Sequence, residues 1–478
     1  MADDASRPKV LIIGAGFAGL ACARKLRGKP VDVDIVDRHN YHLFTPFLYQ
    51  VATSLLNPSD IALPVRSVVR HDKNVSFHQH DIIELDLDNQ VAKTLAGRDI
   101  KYDYVMIAGG METNYFGNDE IKKVAYPLSK MPDAICLRNQ IITCLESAAH
   151  ETERDAIEHW LTFVVVGGGP TGVEFCGALA ELIRLVVPKE YPELPMDAFR
   201  VLLVEGKDRL LSPFDPKISA YAEKKLTKCG VEPLLGHIVK TATADSVTLD
   251  SGETIKAKTL VWAAGVKPNS LAGSLDVSKS HSGRLEVNDK LQITGYEDKG
   301  AYAVGDNASF DWEGNELPAV ATPAMQEARH VAYNIVQDVR EGKAGPEPFK
   351  YWDKGEMAAV ARWSCVAQLG RLKLTGLLGW VAWAFVHIYY LAGFRNRISV
   401  LCGWFWDYLH FDRPVRAQIE IAQDAWPHTL NQLQPDADWR AVDELAGEVS
   451  LDAMYDKTGA DEPTTSGTGS AEESTGKG

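Results

Sequence analysis

A pattern of glycines near the start of the chain has the spacing that binds the phosphates of a dinucleotide. Residues 14–19 read GAGFAG, directly after the apolar run Val10–Ile13 and directly before a helical pattern. In a GxGxxG loop the first glycine permits the tight turn, the second lets a pyrophosphate approach the backbone, and the third lets helix and strand pack closely. The helix N-terminus adds free N–H groups and the positive end of its dipole. The residues expected to bind the dinucleotide here are Gly14, Gly16, Phe17, Ala18 and Gly19.

An acidic residue follows at the position expected for a ribose contact. The strand predicted over Val33–Val36 ends in Asp37, 23 residues after Gly14. A carboxylate at the end of the second strand of such a unit can accept hydrogen bonds from the adenosine ribose. The alternative is a glycine turn in an ordinary α/β sheet, but the strand, the helix and the acid together favour a dinucleotide site.

The same pattern of strand, glycines and helix returns further along the chain. Phe163–Val166 predicts a strand, residues 167–172 read GGGPTG, and a helical pattern follows from Val173. Two such units imply two nucleotide-binding folds, the second inserted into the first. Gly265 closes the second unit after the strand at 260–264. The residues expected to bind the nucleotide in this unit are Gly167, Gly169, Pro170, Thr171, Gly172 and Gly265.

The second unit also has an acid, which bears on the choice of cofactor. Val201–Val204 ends in Glu205, and the long gap from the glycines fits an insertion at Pro188–Pro195. A carboxylate here accepts hydrogen bonds from a ribose 2′-hydroxyl and repels a 2′-phosphate, so Glu205 favours NADH over NADPH. The alternative is a solvated acid at the end of a strand, since Lys207 and Arg209 lie nearby in the sequence.

Segments later in the chain are also expected to contact the nucleotide of the first unit. The strand predicted near 104–108 runs into Gly109, a junction that often passes close to a bound cofactor. A second strand ends in Asp306, whose carboxylate can bind a ribityl hydroxyl. A helix is predicted over 320–340, with Thr322 as its N-cap and Pro323 as its first residue. If this helix points at a flavin, its positive end stabilises the anion of the reduced ring.

Composition and charge narrow the possible partners. The 478 residues suffice for two or three domains, with 45% hydrophobic and 24% charged side chains. The seven cysteines have no CxxC or metal-ligand spacing, which predicts reduced thiols and no metal site, and the polar, acidic first residues do not resemble a signal peptide. The net charge is −15, and nucleic acid is not expected as a partner because no nucleic-acid-binding motif accompanies the charged residues.

A basic and aromatic segment stands out within this acidic chain. Residues 350–416 carry nine Lys and Arg against four Asp and Glu, whereas residues 424–478 carry three against twelve. The run Leu374–Phe394 has no charged side chain over 21 residues, long enough for one transmembrane helix. Its glycines, the internal His387 and the similar basic flanks favour instead two short helices that lie in the membrane interface. A dimer or domain core is the third interpretation. In the interfacial interpretation, Trp383, Val386 and Tyr390 share the membrane-facing side.

Several longer motifs resemble one known family, the type II NADH:quinone oxidoreductases, from about residue 8 to 416. They are YHLFTPFLYQVAT at 41–53, TNYFG at 113–117, GGPTGVE at 168–174, VGD at 304–306, WDKGEMAA at 352–359 and HIYYLAGFRNR at 387–397. The resemblance implies FAD on the first motif, NADH on the second, and a membrane quinone as electron acceptor, without proton pumping. It also implies a homodimer, bound peripherally to the cytoplasmic side of the inner membrane through about 371–411.

The resemblance also assigns residues to the site. Glu174 is expected near the nicotinamide and the flavin, although by itself it is only an acid near the start of a helix. Gln326 is expected beside both the flavin and the quinone. Thr322 and Pro323 are expected to contact the quinone together with Gln326. The family pattern AQxAxxQ reads here ATPAMQE, so Thr322 and Glu327 replace both glutamines. The remaining FAD contacts expected are Asp37, Arg38, Thr45, Gln50, Gly109, Asp306 and Ala324.

Together these features predict an α/β fold of two Rossmann-like dinucleotide-binding domains, the second inserted in the first, plus a C-terminal membrane-associating helical segment. The predicted parts are 1–120 and 291–345 for FAD, 121–290 for NADH, 346–425 for the membrane segment and 426–478 for an acidic, partly disordered tail. The mechanism needs positioned rings rather than a protein nucleophile.

Two other functions remain open from the sequence. A sulfide:quinone oxidoreductase shares this scaffold but needs redox cysteines at the flavin, and the loop after Asp37 has none. Cys176 and Cys365 keep this alternative open. A flavin-binding redox sensor is the alternative from another class of protein, although the aromatic segment favours an enzyme.

Overall fold

The computed structural model describes residues 7–341, 347–410, 413 and 415–419. The predicted tail over 426–478 lies outside the described residues, as do 411, 412, 414 and 420–425 of the predicted membrane segment.

The described residues form fourteen α-helices and many short strands. In chain order, α1 to α14 are Phe17–Leu26, Leu48–Ala52, Pro58–Ile61, Val65–Val69, Asp119–Val124, Met131–Ala149, Arg154–Trp160, Pro170–Leu185, Val187–Glu190, Pro216–Lys228, Ser270–Ser274, Ala321–Glu341, Gly376–Tyr390 and Phe394–His410. The strands β1 to β14 are Lys9–Ile13, Asp32–Asp37, Tyr41–Leu43, Ala62–Pro64, Val75–Gln79, Ile82–Asp86, Val91–Thr94, Asp99–Lys101, Tyr104–Ile107, Met111–Thr113, Tyr126–Pro127, Thr162–Val166, Arg200–Glu205 and Val231–Leu235. The strands β15 to β27 are Val239–Ala242, Ser246–Leu249, Thr254–Lys256, Thr259–Trp262, Val266–Pro268, Leu285–Glu286, Ala301–Ala303, Ala308–Ser309, Asp311–Trp312, Asn315–Glu316, Glu356–Ala361, Ser364–Leu369 and Leu372–Thr375.

Two five-stranded parallel sheets organise the fold. The first has the order β21-β9-β1-β2-β5, and the second has the order β11-β18-β12-β13-β14. The strand that precedes each glycine loop, β1 or β12, lies at the centre of its sheet and is almost wholly buried, as a parallel strand covered on both faces should be. The predicted α/β fold with two nucleotide-binding units is therefore confirmed, and the exact domain boundaries stay a prediction.

Each glycine loop depends on contacts that leave no room for a side chain. A β-carbon at Gly19 would lie 1.9 Å from the carbonyl oxygen of Gly14, and one at Gly14 would lie 2.3 Å from that of Ala108. In the second unit, a β-carbon at Gly172 would lie 1.9 Å from the oxygen of Gly167. Gly14 and Gly167 also have φ near +105° and +112°, which favours glycine. These glycines therefore set how closely each helix approaches its sheet.

The apolar core of the second unit extends into the C-terminal helices. Buried side chains of α6, α8 and the second sheet share one cluster with those of α2, β25, α13 and α14. Phe47 shows the connection, because its ring contacts the rings of both Trp383 in α13 and Trp404 in α14. The C-terminal helices are therefore part of the folded body and not an appendage.

The apolar run at 374–394 is not one long helix. Thr375 still belongs to β27, α13 covers 15 residues, and α14 begins after a break at Gly393 with φ of +89°. Within the described part of the chain, no helix has the length and hydropathy to cross a membrane. The preferred prediction of two short helices is confirmed for the secondary structure.

Two details predicted from the sequence are wrong. Trp383 is only 3% exposed and packs inside the protein, so the predicted membrane-facing stripe through Trp383 points inward. The helix predicted to start with Thr322 as its N-cap begins at Ala321, so Thr322 and Pro323 both lie in its first turn. For Trp383, the sequence gives the spacing of the aromatic residues on α13. It does not show which face of α13 packs on β26 and on the segment after β3.

We expect Gly19→Ala to destabilise the protein by about 1–3 kcal/mol, the usual range for overpacking, because its β-carbon meets the Gly14 carbonyl. Gly16→Ala is the matched control, since a β-carbon at Gly16 has no atom within 4 Å. Urea unfolding of the two variants without added cofactor measures the difference. Equal stability of both variants would contradict the packing argument.

Candidate active site

The first glycine loop forms an open cradle at the start of α1. Gly16 caps the helix without any side-chain hydrogen bond, and the space beside its α-carbon is empty. The carboxylate of Asp37 accepts hydrogen bonds from the N–H groups of Ala15 and His39, both at 2.7 Å. Asp37 therefore holds the glycine turn in place as well as standing at the predicted ribose position.

A carboxyl group without a partner lies across from this cradle. Asp306 follows β21 in a short 3₁₀ turn, Gly305–Asn307, and its side chain has no hydrogen bond or ion pair among the described residues. Burial raises its pKa, with Arg284 acting in the opposite direction. The side-chain amide of the buried Asn307 donates to the Gly110 carbonyl, while its Oδ1 has no partner in the described part of the chain. Unpartnered acceptors beside an open phosphate cradle fit a polyhydroxylated nucleotide such as FAD.

The other expected FAD residues differ in their surroundings. Phe17 packs edge-on against Phe44 and against His42, whose Nδ1 lies 3.1 Å from the Ala15 oxygen. Thr45 is exposed at the start of the 3₁₀ turn that leads into α2. Arg38 makes a 3.4 Å ion pair with Asp81 instead of facing an unpaired anion.

Three of the expected FAD residues are held by tight packing or hydrogen bonds. Gly109 lies against Asn269, so that a β-carbon there would lie 1.8 Å from its Nδ2, and Ala324 lies against Gly305. Gln50 is buried, donates to the Tyr49 hydroxyl at 3.0 Å and accepts from the Trp404 indole at 2.8 Å. Gln50 thus connects α2 to α14.

The second glycine loop repeats the first in geometry. Gly169 caps α8 with open space beside it, and Pro170 takes the first helical position, where its missing N–H costs nothing. Glu205 accepts from Gly168 N–H at 2.6 Å and from Lys207 N–H at 2.8 Å, the same arrangement that Asp37 makes. Thr171 is exposed on the first turn of α8, and Gly265, with φ of +78°, packs against Phe116.

Glu174 is not the solvated helix-start acid that the sequence allows. It lies beyond the first turn of α8, and its Oε1 accepts a hydrogen bond from the N–H of Ala359 in β25 at 3.0 Å. Burial raises the pKa of Glu174 to about 8, against the opposing effect of that hydrogen bond. It is therefore a carboxyl group that can hold or release a proton near neutral pH.

Glu174 lines a small cavity between α8, β25 and the two C-terminal helices. The cavity measures about 40 Å³, enough for at least one water molecule, and its polar lining includes Tyr49, Gln50, Glu181 and Arg362. Thr322, Pro323 and Gln326 are not among the described residues that line it. The amide of Gln326 instead clamps Trp352, accepting from its N–H at 3.2 Å and donating to its carbonyl at 3.0 Å.

A buried ionic cluster forms the far side of the cavity, and the sequence analysis missed it. Arg362 contacts Glu181 at 2.7 Å and Asp407 at 3.1 Å, and Arg413 lies 3.6 Å from Glu181. Burial raises the pKa of Asp407 to about 6 although both arginines oppose the shift. Glu181 lies on α8, Arg362 in the β25–β26 turn, Asp407 near the end of α14, and Arg413 beyond that helix. The sequence has no local pattern that indicates this cluster, because its members lie far apart in the chain.

Comparison with known proteins agrees with this geometry. Residues 8–328 match the family model of the pyridine nucleotide-disulphide oxidoreductases. The chain is 36% identical over 410 residues to a type II NADH:quinone oxidoreductase of Mycobacterium tuberculosis, covering 83% of this chain and 87% of that one. It is 29% identical to an internal alternative NAD(P)H-ubiquinone oxidoreductase of Arabidopsis thaliana mitochondria, covering 84% of each.

Solved structures show the same fold. The structure of NDH2 from Plasmodium falciparum in complex with NADH superposes with a TM-score of 0.79 at 20% identity, covering 87% of this chain and all of that one. The sulfide:quinone oxidoreductase of Aquifex aeolicus superposes with a TM-score of 0.64 at 18% identity, covering 86% and 96%.

Two parallel sheets, each with a glycine cradle and a strand-end acid, define a pyridine nucleotide-disulphide oxidoreductase, and membership of that class implies a flavin cofactor. Within this class, the chain belongs to the type II NADH:quinone oxidoreductase family. The resemblance seen in the sequence motifs is thereby confirmed.

The raised pKa of Glu174 predicts a pH-dependent stability. Between the ordinary pKa near 4.5 and the folded value of about 8, the folded state binds a proton that the unfolded state lacks, so Glu174 lowers stability as pH rises. We expect Glu174→Gln to gain stability over wild type by up to about 1.4 kcal/mol per pH unit in this window. Urea unfolding at pH 5 and pH 8 measures it, and a difference that does not change with pH would contradict it.

Proposed function

We propose that this chain takes a hydride from NADH and passes two electrons through FAD to a membrane quinone, without pumping protons. The observation that carries this proposal is the pair of open cradles, of which the second has Glu205 where the first has Asp37. The first cradle with Asp306 is proposed to hold one non-covalent FAD, and the second to hold NADH.

The residues of the chain chiefly bind and orient the two nucleotides. FAD, when bound, supplies the two-electron chemistry that accepts from NADH and donates to quinone. The first turns of α1 and α8 provide N–H groups for the two pyrophosphates. Glu174, with its raised pKa, is proposed to hold a proton near the nicotinamide and the flavin, the position that the family resemblance implies. The predicted role of Gln326 at the quinone is retained as a proposal, in which its clamp on Trp352 orders the pocket wall.

Steady-state oxidation of NADH and NADPH by a short-chain quinone tests both the function and the role of Glu205. We expect the wild type to prefer NADH over NADPH. Glu205→Gln should narrow this preference roughly 10- to 150-fold, mostly through KM, because it removes a charge-assisted hydrogen bond worth about 1.5–3 kcal/mol. Glu232→Gln is a control, because this exposed acid lies on β14 and pairs with Arg200 on the neighbouring strand. An unchanged preference would place the discriminating acid elsewhere.

The sulfide:quinone oxidoreductase alternative finds little support in the site. Cys176 and Cys365 are buried free thiols, and burial raises the pKa of both, so neither is an activated thiolate. Bleaching of the flavin by sulfide in the absence of NADH would nevertheless favour that activity. Negligible turnover with NADH and any quinone would favour the redox sensor instead.

Membrane attachment is proposed to use the outer surface of α13 and α14. We call this surface the apolar outer face; it consists of the exposed side chains Leu377, Leu378, Val381, Phe385, Tyr389, Phe394, Ile398, Leu401, Phe405, Trp406 and Leu409. Contiguous exposed apolar surface of this kind is typical of a membrane-binding region. Among the flanking basic residues, Lys373 pairs with Asp215 and Arg397 donates to the carbonyls of Leu391 and Tyr389. Arg371 and Arg395 are therefore the better candidates to meet anionic lipid.

We expect Phe385→Glu combined with Phe405→Glu to release the protein from vesicles, because each ring is about two-thirds exposed or more and each is worth roughly 1.5–3 kcal/mol when buried. NADH oxidation by a soluble acceptor should persist, and oxidation by a long-tailed quinone should fall. Ile83→Glu, at an exposed apolar residue on β6 that lies outside the apolar outer face, is the control. Retention of the folded double variant on vesicles would contradict the assignment of this face.

The cytoplasmic side of the inner membrane and the homodimer, both taken from the resemblance, remain part of this proposal. Sedimentation of the detergent-solubilised protein tests the dimer.

A further inference from the structure

A buried carboxyl group lies directly behind the proposed flavin site and has no part in the proposed reaction. Glu327, in the second turn of α12, is 1% exposed. Its Oε2 accepts a hydrogen bond from the N–H of Gly305, the residue before Asp306. Gly305 in turn packs against Ala324 on the same helix. Glu327 is thus fixed to the turn that presents the unpartnered Asp306 carboxylate to the cradle.

The charges that face Glu327 do not neutralise it. Asp306 lies close enough to disfavour a second negative charge, and Arg284 is the cation that acts on both acids. Arg284, however, donates to the Leu317 carbonyl at 2.7 Å and lies 3.8 Å from Glu316. Helix α1, which packs along α12, has its basic residues Arg24 and Lys25 in its last turn. Among the described residues, Glu327 therefore has no ion-pair partner.

The hydrogen bond to Gly305 does not require an acid. A glutamine oxygen could accept the same N–H, and a neutral amide would avoid the cost of burying a carboxyl beside Asp306. What the carboxyl adds at this position is a proton that can bind and leave. Burial, assisted by the neighbouring Asp306, raises the pKa of Glu327 to about 8, although the hydrogen bond from Gly305 and the charge of Arg284 oppose the shift.

We propose that Glu327 is a redox-linked proton site, which binds a proton from water when the adjoining cofactor becomes negatively charged and releases it when that charge is removed. The proposal rests on the proposed flavin site. Reduction of a flavin takes up two electrons and one proton and leaves one negative charge on the ring system. Glu327 then changes from carboxylate to carboxyl by binding a second proton from water, so charge and atoms balance. By this proton uptake, Glu327 tunes the midpoint potential of the cofactor.

The pH dependence of the flavin midpoint potential, measured by spectroelectrochemistry without NADH or quinone, tests the proposal. Between pH 9 and pH 10, above the pKa of about 8, Glu327 is ionised beside the oxidised cofactor, and we expect the wild-type slope to correspond to two protons per two electrons. In Glu327→Gln the slope should fall by half, to one proton per two electrons. Glu286→Gln, at an exposed acid two residues from Arg284, should keep the wild-type slope.

An infrared difference spectrum of the reduced minus the oxidised protein gives an independent signature. The C=O band of a newly protonated carboxyl group should appear on reduction of the wild type at pH 9 and be absent in Glu327→Gln. A one-proton slope in the wild type, or an unchanged two-proton slope in Glu327→Gln, would overturn the proposal. If Glu327→Gln fails to retain flavin, Glu174→Gln decides, because Glu174 is the other buried acid whose pKa is raised to about 8. A two-proton slope and a carboxyl band that persist in Glu174→Gln support Glu327, and their loss there would overturn the proposal.

These outcomes are separate from failure of the proposed function. A protein that binds flavin with the expected pH slope but does not transfer electrons from NADH to quinone would retain the redox-linked site and lose the proposed function. A protein that turns over as proposed but has a one-proton slope would lose only the inference.

Discussion

The contact of one backbone with another at the glycine loops is the constraint on which the rest of the structure depends. The carbonyl of Gly14 occupies the space where a β-carbon of Gly19 would stand, and Gly167 and Gly172 repeat this contact. The contact holds the helix N-terminus directly above the end of the central strand. Only then can the N–H groups of the first helical turn and the strand-end acid meet the same ligand. The groups of the site that bind the nucleotides are therefore positioned by these two glycine loops.

Strand-end acids serve this geometry before any ligand arrives. Asp37 and Glu205 each accept two backbone hydrogen bonds, one of them from the glycine loop itself. These charge-assisted hydrogen bonds stabilise the turn that follows each central strand. A ribose hydroxyl would therefore meet an acid that is already oriented, which lowers the entropic cost of binding.

Buried charge is handled in two different ways around the site. Glu181 and Asp407 are matched by Arg362 and Arg413, which ties α8 to the turn before β26 and to α14. Removing one member of such a cluster is costly because it leaves a buried charge unpaired. Glu174 and Glu327 instead accept backbone hydrogen bonds and have no ion-pair partner among the described residues, and burial raises their pKa values to about 8. The first arrangement fixes the position of the C-terminal helices, and the second leaves two groups able to exchange protons.

The sequence by itself determined the two nucleotide-binding units, because their strand, glycine and acid pattern is local and each glycine has a steric reason. It also determined the family and the existence of two short apolar helices near 376–410. Only the tertiary structure decided which face of those helices is outward, since Trp383 and Phe385 are equally apolar and differ in what packs on them. It alone showed that Glu174 meets β25 and that Arg362, Glu181, Asp407 and Arg413 converge, because residues so far apart in the chain leave no periodic signal. The state of Glu327 likewise depends on Gly305 and Asp306, which the packing of α12 against α1 and against the turn at 305–307 brings beside it.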